Sequence, residues 1–280
     1  TLARHVPNLT KQLSSLRFIW ISHAHLDHYG GLPDLIRAIR QSRNHPSHNN
    51  NNKGTNSLIR DTKRQKLNNS STNEHQVLVI APQKVLRYLN VSVGSGDESA
   101  SVYHGMTHAH WNQHFAGNSW HILQDAGVAS LRNVPVEHCP NAYGLVLTLS
   151  HGFRLCFSGD CRPSSRLVRE ATGSSYGMVT PIDLLLHEAS FGDDLVEEAV
   201  QKRHSTVSEA IAVAKQMQAR MCLLTHFSQR YPPKSPPRRQ PILAGAATPG
   251  QGQRQEDAAF GYAIDGMMLP LQSNALQILP

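Results

Sequence analysis

Ser22-His23-Ala24-His25-Leu26-Asp27-His28, directly after the apolar run Phe18-Ile19-Trp20-Ile21, constrains this chain more than any other stretch. Four consecutive apolar residues bounded by polar ones have the length of a buried strand. The chain then sets three imidazoles and one carboxylate within the six residues 23–28. Zinc takes imidazole nitrogen and carboxylate oxygen well. Where a strand opens into a loop, alternate side chains fan out, so His23 and His25 can face one ion while Asp27 and His28 face a second. A histidine pair alone says little. The whole string, followed by Tyr29-Gly30-Gly31-Leu32 and a helix-like stretch, says much more.

HxHxDH at a strand end is where the chain resembles the metallo-β-lactamase superfamily. That resemblance implies a further His, then an Asp that bridges two metals, then a last His. Residues of those types follow in order: His138 in Val136-Glu137-His138-Cys139, Asp160 in Phe157-Ser158-Gly159-Asp160, and His226 in Leu224-Thr225-His226-Phe227. Each closes a run of strand-like composition.

Three more segments narrow the resemblance to ribonuclease Z, the tRNA 3′-processing endonuclease. His187-Glu188-Ala189-Ser190 is similar to that family's HEAT motif with Ser190 for Thr, and His204-Ser205-Thr206 matches its HST motif. Phe227-Ser228-Gln229-Arg230-Tyr231 and Ser158-Gly159-Asp160-Cys161-Arg162-Pro163 resemble the long eukaryotic form, specifically its carboxy-terminal catalytic half. The likeness runs from about Leu16 to Tyr231, and fades around Ala259-Phe260-Gly261-Tyr262.

The resemblance implies an α/β fold, the αββα metallo-β-lactamase sandwich, truncated at the amino end. It implies two Zn²⁺: His23, His25 and His138 on one, Asp27, His28 and His226 on the other, and Asp160 between them. Asp27 also orients the attacking water, and Glu188 with His204 forms the pair that protonates the leaving oxygen. The implied reaction removes the 3′ trailer of precursor tRNA and leaves a 3′-hydroxyl. Implied partners are precursor tRNA and a missing amino-terminal half of the same protein, and the implied compartment is the nucleus or mitochondrion. Another hydrolase of the fold is the alternative: a thioesterase would share the ligands without the HEAT and HST segments, and a DNA- or mRNA-cleaving nuclease would be expected to carry an inserted second domain, which the sequence does not show. A catalytically silent tRNA-binding fragment is the non-enzyme alternative, and the intact ligand set argues against it.

Bulk properties agree. The net charge of +7, from 27 Lys and Arg against 20 Asp and Glu, suits a polyanionic partner. Hydrophobic content is 39%, low for a compact domain, and polar insertions account for it. The Asn-, Ser- and Lys-rich stretch 41–76 reads as a low-complexity insertion in a catalytic domain spanning 1–231. Residues 232–257 read as a disordered linker, and 258–280 as an element returning to the domain. No apolar run approaches the ~20 residues that span a bilayer. The cysteines Cys139, Cys156, Cys161 and Cys222 show no CxxC pair and are expected to be reduced packing residues. Cys139 and Cys161 adjoin proposed ligands but, as strand neighbours, are expected to point away. The segment 92–117 reads as a loop whose His104, His108, His110 and His114 lie at the surface. Ser205 and Thr206 read as helix caps, and Arg230 as a candidate phosphate contact.

Overall fold

The computed structural model describes residues 8–44, 76–94, 102–114, 121–173 and 179–228, with the backbone of 259–262. In chain order the first elements are α1 (Leu9–Ser15), β1 (Phe18–Trp20), α2 (Leu26–Tyr29), α3 (Leu32–Asn44), β2 (Val77–Ile80), α4 (Gln83–Val93) and β3 (Tyr103–Met106). Next come α5 (His108–His114), α6 (His121–Asp125), β4 (Val128–Pro135), β5 (Tyr143–Leu149), β6 (Arg154–Phe157) and α7 (Ser165–Thr172). The last are β7 (Leu184–Glu188), α8 (Val196–Lys202), α9 (Val207–Gln216), β8 (Met221–Thr225) and β9 (Ala259–Tyr262).

Two sheets form. The first is parallel, in the order β1-β2-β3. The second runs β4 to β9 in sequence order, antiparallel through β6 and parallel from β6 onward. β2 shows why both faces of the first sheet are covered: all four of its residues are buried, as in a parallel strand between two layers. Val77 and Val79 point to α3 and α4, whose Leu32, Ile36, Ile39, Val85 and Leu89 complete one core. Leu78 and Ile80 point the other way and meet Leu131, Leu145 and Leu147 of the second sheet. On the far side of that sheet Cys156, Leu185 and Cys222 pack beneath Leu167 and Ala171 of α7 and Ala210, Val213 and Ala214 of α9. Helices, sheet, sheet, helices: this is the αββα order. Each fully buried Leu, Ile or Val removes apolar surface worth ~1.5–3 kcal/mol from water, so the three cores hold the layers together.

The sequence reading needs three corrections. The helix-like stretch after the histidine string is α3, which continues to Asn44, so residues 41–44 are helical and not part of the 41–76 insertion. Most of the remainder of that stretch lies outside the described residues. The expected loop 92–117 contains β3 and α5. His108 is buried against Tyr143, ring centroids 4.3 Å apart and stacked, and edge-on to Trp20. Its polar neighbours in sequence disguise a helix whose His108 and Trp111, three apart, share the buried face. Burial holds that imidazole down at about 3, in spite of the Ile21 backbone group beside it. Among the described residues no helix is long and apolar enough to cross a membrane.

Candidate metal centre

Every candidate ligand leaves a strand at the same end of the sandwich. β1 pairs in parallel with β2, and β6, β7 and β8 are parallel to one another, so their carboxy-terminal ends line up. His23 to His28 follow β1, Asp160 follows β6, Glu188 ends β7 and His226 follows β8. His138 follows β4, which is antiparallel to β5 as β5 is to β6 and so runs in the same direction as β6, bringing it to the same edge. The turns are tightly built. The Tyr143 backbone N–H donates to the Ser22 carbonyl at 3.1 Å, joining the two sheets beneath the site. Gly159 sits there at φ +60, and a Cβ on it would lie 2.7 Å from the Tyr143 carbonyl oxygen. His226 also adopts the left-handed region, at φ +59. That conformation is uncommon for a residue with a side chain, though histidine is among those enriched there. It turns the chain sharply as it leaves β8.

All seven sequence-predicted ligands converge. Oδ2 of Asp160 is the hub, 3.6 Å from His23 Nε2, 3.4 Å from His28 Nε2, 3.9 Å from His138 Nε2 and 3.2 Å from His226 Nε2. On one side His23 Nε2 and His25 Nδ1 lie 2.9 Å apart, with His138 Nε2 3.3 Å from His25 Nδ1. On the other, Asp27, His28 and His226 bring their ligand atoms within 4.8 Å of one another. Asp27 is mostly exposed and forms the mouth, whereas Asp160 is buried.

The opposite nitrogens show which atoms are offered. His138 Nδ1 lies 3.1 Å from the Arg203 carbonyl oxygen, which only accepts, so Nδ1 carries the proton and Nε2 presents its lone pair to the centre. His226 Nδ1 is 2.7 Å from Ser190 Oγ, and His23 Nδ1 is 2.9 Å from Ser22 Oγ. Outer hydrogen bonds that fix tautomer and ring orientation are characteristic of metal-ligating histidines. Electrostatics agree with lone pairs held ready. Burial lowers His23 to about 3, with neighbouring imidazoles adding to it and Asp160 acting against it. Burial would raise Asp160, but the hydrogen bond and charges of His28, His226 and His23 outweigh it and hold the carboxyl well below its usual range. Five imidazole nitrogens and two carboxylates around one point fit borderline divalent cations such as zinc.

Beside this cluster stands a second arrangement. Glu188 is buried and its carboxylate accepts five hydrogen bonds. Cys161 N and His204 Nδ1 reach Oε1 at 2.9 and 2.7 Å. Ser190 N, Ser190 Oγ and Ser205 N reach Oε2 at 3.0, 2.9 and 3.1 Å. Burial would lower His204, yet the bond and charge of Glu188 raise it above an ordinary imidazole. Its ring stacks on His226 at 5.4 Å and lies 4.6 Å from His138, so it borders the metal cluster directly. Its ligand atom also falls within 4.8 Å of those of His138 and Asp160.

Sequence reasoning missed several groups. Ser190, noticed only as a replacement for Thr, ties Glu188, His204 and His226 together through one hydroxyl. Arg203, at φ +58, both accepts from His138 and donates to its carbonyl at 2.8 Å. Cys139 does not point away: residues 137–139 form a bend, where strand alternation does not apply, and its thiol lies within 4.8 Å of the donors of His23, His25 and His138. Cys161 is buried as expected. Thr206 caps α9 with a full capping box, whereas Ser205 is no cap and donates instead to the Cys161 carbonyl. Arg230 lies outside the described residues.

Comparison with known proteins places this geometry. The family model described as Anti-Pycsar protein Apyc1 matches residues 1–242. Ribonuclease Z 1 of Schizosaccharomyces pombe is 29% identical over 96% of this chain and 28% of its own length. Zinc phosphodiesterase ELAC protein 2 of Homo sapiens is 31% identical over 82% of this chain and 25% of its own. The chain therefore spans about a quarter of the length of these curated relatives. The solved structure of a long form RNase Z from yeast superposes with a TM-score of 0.64 at 22% identity, covering 94% of this chain and 34% of that one. The metallo-β-lactamase fold protein YhfI of Bacillus subtilis superposes with a TM-score of 0.51 at 16% identity, covering 81% of this chain and 70% of that one. With its metallo-β-lactamase fold and its ribonuclease Z homologues, the chain belongs to the family described as Anti-Pycsar protein Apyc1.

Proposed function

We propose that this chain is a metal-dependent endoribonuclease domain of the ribonuclease Z type, which removes the 3′ trailer of precursor tRNA and leaves a 3′-hydroxyl. The observation that carries the reading is the juxtaposition of the Asp160-centred cluster with the Glu188–His204 pair. The first fits a dinuclear phosphodiesterase centre. The second fits a proton donor for a poor leaving group. His23, His25 and His138 would hold one Zn²⁺, Asp27, His28 and His226 the other, and Asp160 both. When bound, such ions supply Lewis acidity that ionises water near neutral pH and offsets charge developing on phosphorus.

The chain's own residues do the rest. Asp27, at the exposed mouth, orients water in line with the scissile bond. A carboxylate among cations remains ionised, so it positions more than it abstracts. His204, charged with the support of Glu188, gives its Nε2 proton to the departing ribose oxygen. Ser190 holds His204 and His226 in register. The net charge of +7 favours an RNA substrate. The catalytic domain would comprise 1–231, with the linker and returning element as read from the sequence, in a protein acting in the nucleus or mitochondrion. A thioesterase reading has no use for the Glu188–His204 pair.

The test is elemental analysis together with cleavage of a 3′-extended precursor tRNA, with and without a chelator. About two zinc ions per chain and chelator-sensitive cutting beyond the acceptor stem are expected. Two metals without any cutting would refute the RNA reading, and no bound metal would refute the centre itself.

A further inference from the structure

The geometry points to Arg162 as the positioning residue for His204, acting through a clasp with Glu209. This rests on the function proposed above and adds a residue to it.

Arg162 lies two residues beyond Asp160, on the same turn. Its backbone N–H donates to the Glu137 carbonyl at 3.0 Å, fixing the turn against the His138 bend. From there its guanidinium reaches across the site's rear. Nη1 donates to the His204 carbonyl at 2.5 Å and to Glu209 Oε2 at 2.8 Å, while Nη2 pairs with Glu209 Oε1. Glu209 is also the capping-box residue of α9, taking the Thr206 N–H at 2.9 Å. A simple helix cap needs only Thr206 and Glu209. The third contact, to the carbonyl of His204 itself, serves the backbone of the proton donor. His204 is thereby held twice, its ring by Glu188 and its main chain by Arg162. An arginine suits this place because its planar fork engages a carboxylate with two parallel bonds and keeps a donor for a carbonyl.

The step that needs this precision is leaving-group departure. Water adds to phosphorus, the P–O3′ bond breaks, and the Nε2 proton of His204 passes to O3′. Solvent then reprotonates the imidazole, and the attacking water's proton leaves to bulk. A proton donor must sit within ~2.6–3.2 Å of its acceptor, and a displacement of ~1 Å can cost ~100-fold in rate. A p-nitrophenolate departs without a proton, so hydrolysis of an activated aryl phosphodiester does not need the donor.

The experiment compares zinc-loaded wild type with Arg162→Met, Arg162→Lys and Glu209→Gln on precursor tRNA and on bis(p-nitrophenyl) phosphate, with metal content measured throughout. For Arg162→Met we expect kcat on tRNA to fall ~100-fold with KM and zinc unchanged, and aryl ester hydrolysis to fall far less. Glu209→Gln should show the same substrate-selective loss, and Arg162→Lys a smaller one, because an ammonium replaces one arm of the fork. Equal losses on both substrates, or loss of zinc, would make Arg162 a purely structural residue and overturn the inference. Wild type that hydrolyses the aryl ester but cuts no RNA would refute the nuclease reading instead, and this inference with it.

Discussion

Replacing Glu188 by Gln is the most demanding test of the site's construction. The carboxylate receives five donors, two at Oε1 and three at Oε2, at 2.7–3.1 Å in a buried position. An amide offers one acceptor and one donor end. With its oxygen on the Oε2 side it keeps the two Ser backbone and hydroxyl contacts there and Ser205 N. Its NH₂ then confronts Cys161 N and His204 Nδ1. His204 can shift tautomer to accept, but the Cys161 N–H cannot, and is stranded in the interior. The opposite orientation strands two backbone N–H groups, of Ser190 and Ser205, and is worse. One buried orphaned donor costs ~1–3 kcal/mol, and bonds to a charged acceptor are worth ~1.5–3 kcal/mol against about half that for a neutral one. The variant should be less stable by ~2–4 kcal/mol. Urea unfolding of metal-free wild type and variant should show the midpoint falling by about 1 M at unchanged slope, taking m as ~2–3 kcal/mol/M. Cleavage of precursor tRNA should fall by ~10²–10⁴-fold, the usual worth of acid catalysis. Coincident unfolding curves would refute the account of Glu188 as a fully bonded buried carboxylate.

Three other outcomes follow from the same geometry. Gly159→Ala places a Cβ 2.7 Å from the Tyr143 carbonyl in a left-handed conformation, and should lower stability by ~1–3 kcal/mol and reduce bound zinc, read by calorimetry and elemental analysis. Asp27→Ala removes an exposed side chain, so unfolding should shift by less than ~0.5 kcal/mol while cleavage is abolished even where some metal is retained. In the metal-free protein, His23 and His108 are held at about 3 in the fold against about 6.5 unfolded. Their stabilisation is whole above pH 6.5 and is lost as pH falls below it, ~2 kcal/mol each by pH 5. His104, His138 and His187 are lowered as well and add to this loss, whereas His28 and His204 are raised and act oppositely below pH 6.5, so the unfolding midpoint of the metal-free protein should fall between pH 7 and 5.

What the sequence discloses is chemistry that resides in side-chain type and local spacing. His23 through His28 announce themselves because donors crowd a strand end, and β2 and β7 because their apolar runs are short and unbroken. What it conceals depends on contacts made at a distance. His108 looks like a surface residue among polar neighbours until Trp20 and Tyr143 close over it. Cys139 looks averted while the bend at 137–139 is unknown. Arg162 and Glu209 are 47 positions apart, and nothing local marks either as the other's partner. Ser190 is a small polar residue until one hydroxyl proves to touch three functional groups.

The parallel pairing of β1 and β2 has a consequence for how such a chain can vary. Phe18 is opposite Leu78 and Trp20 opposite Ile80, so the chain enters β2 at the end remote from the histidine turn. Asn44 and Gln76, the described residues bounding the long polar segment, deliver it to that remote side. Any change in the number of residues between Asn44 and Gln76 therefore has its point of entry into β2 at the end of β1 and β2 away from the histidine turn.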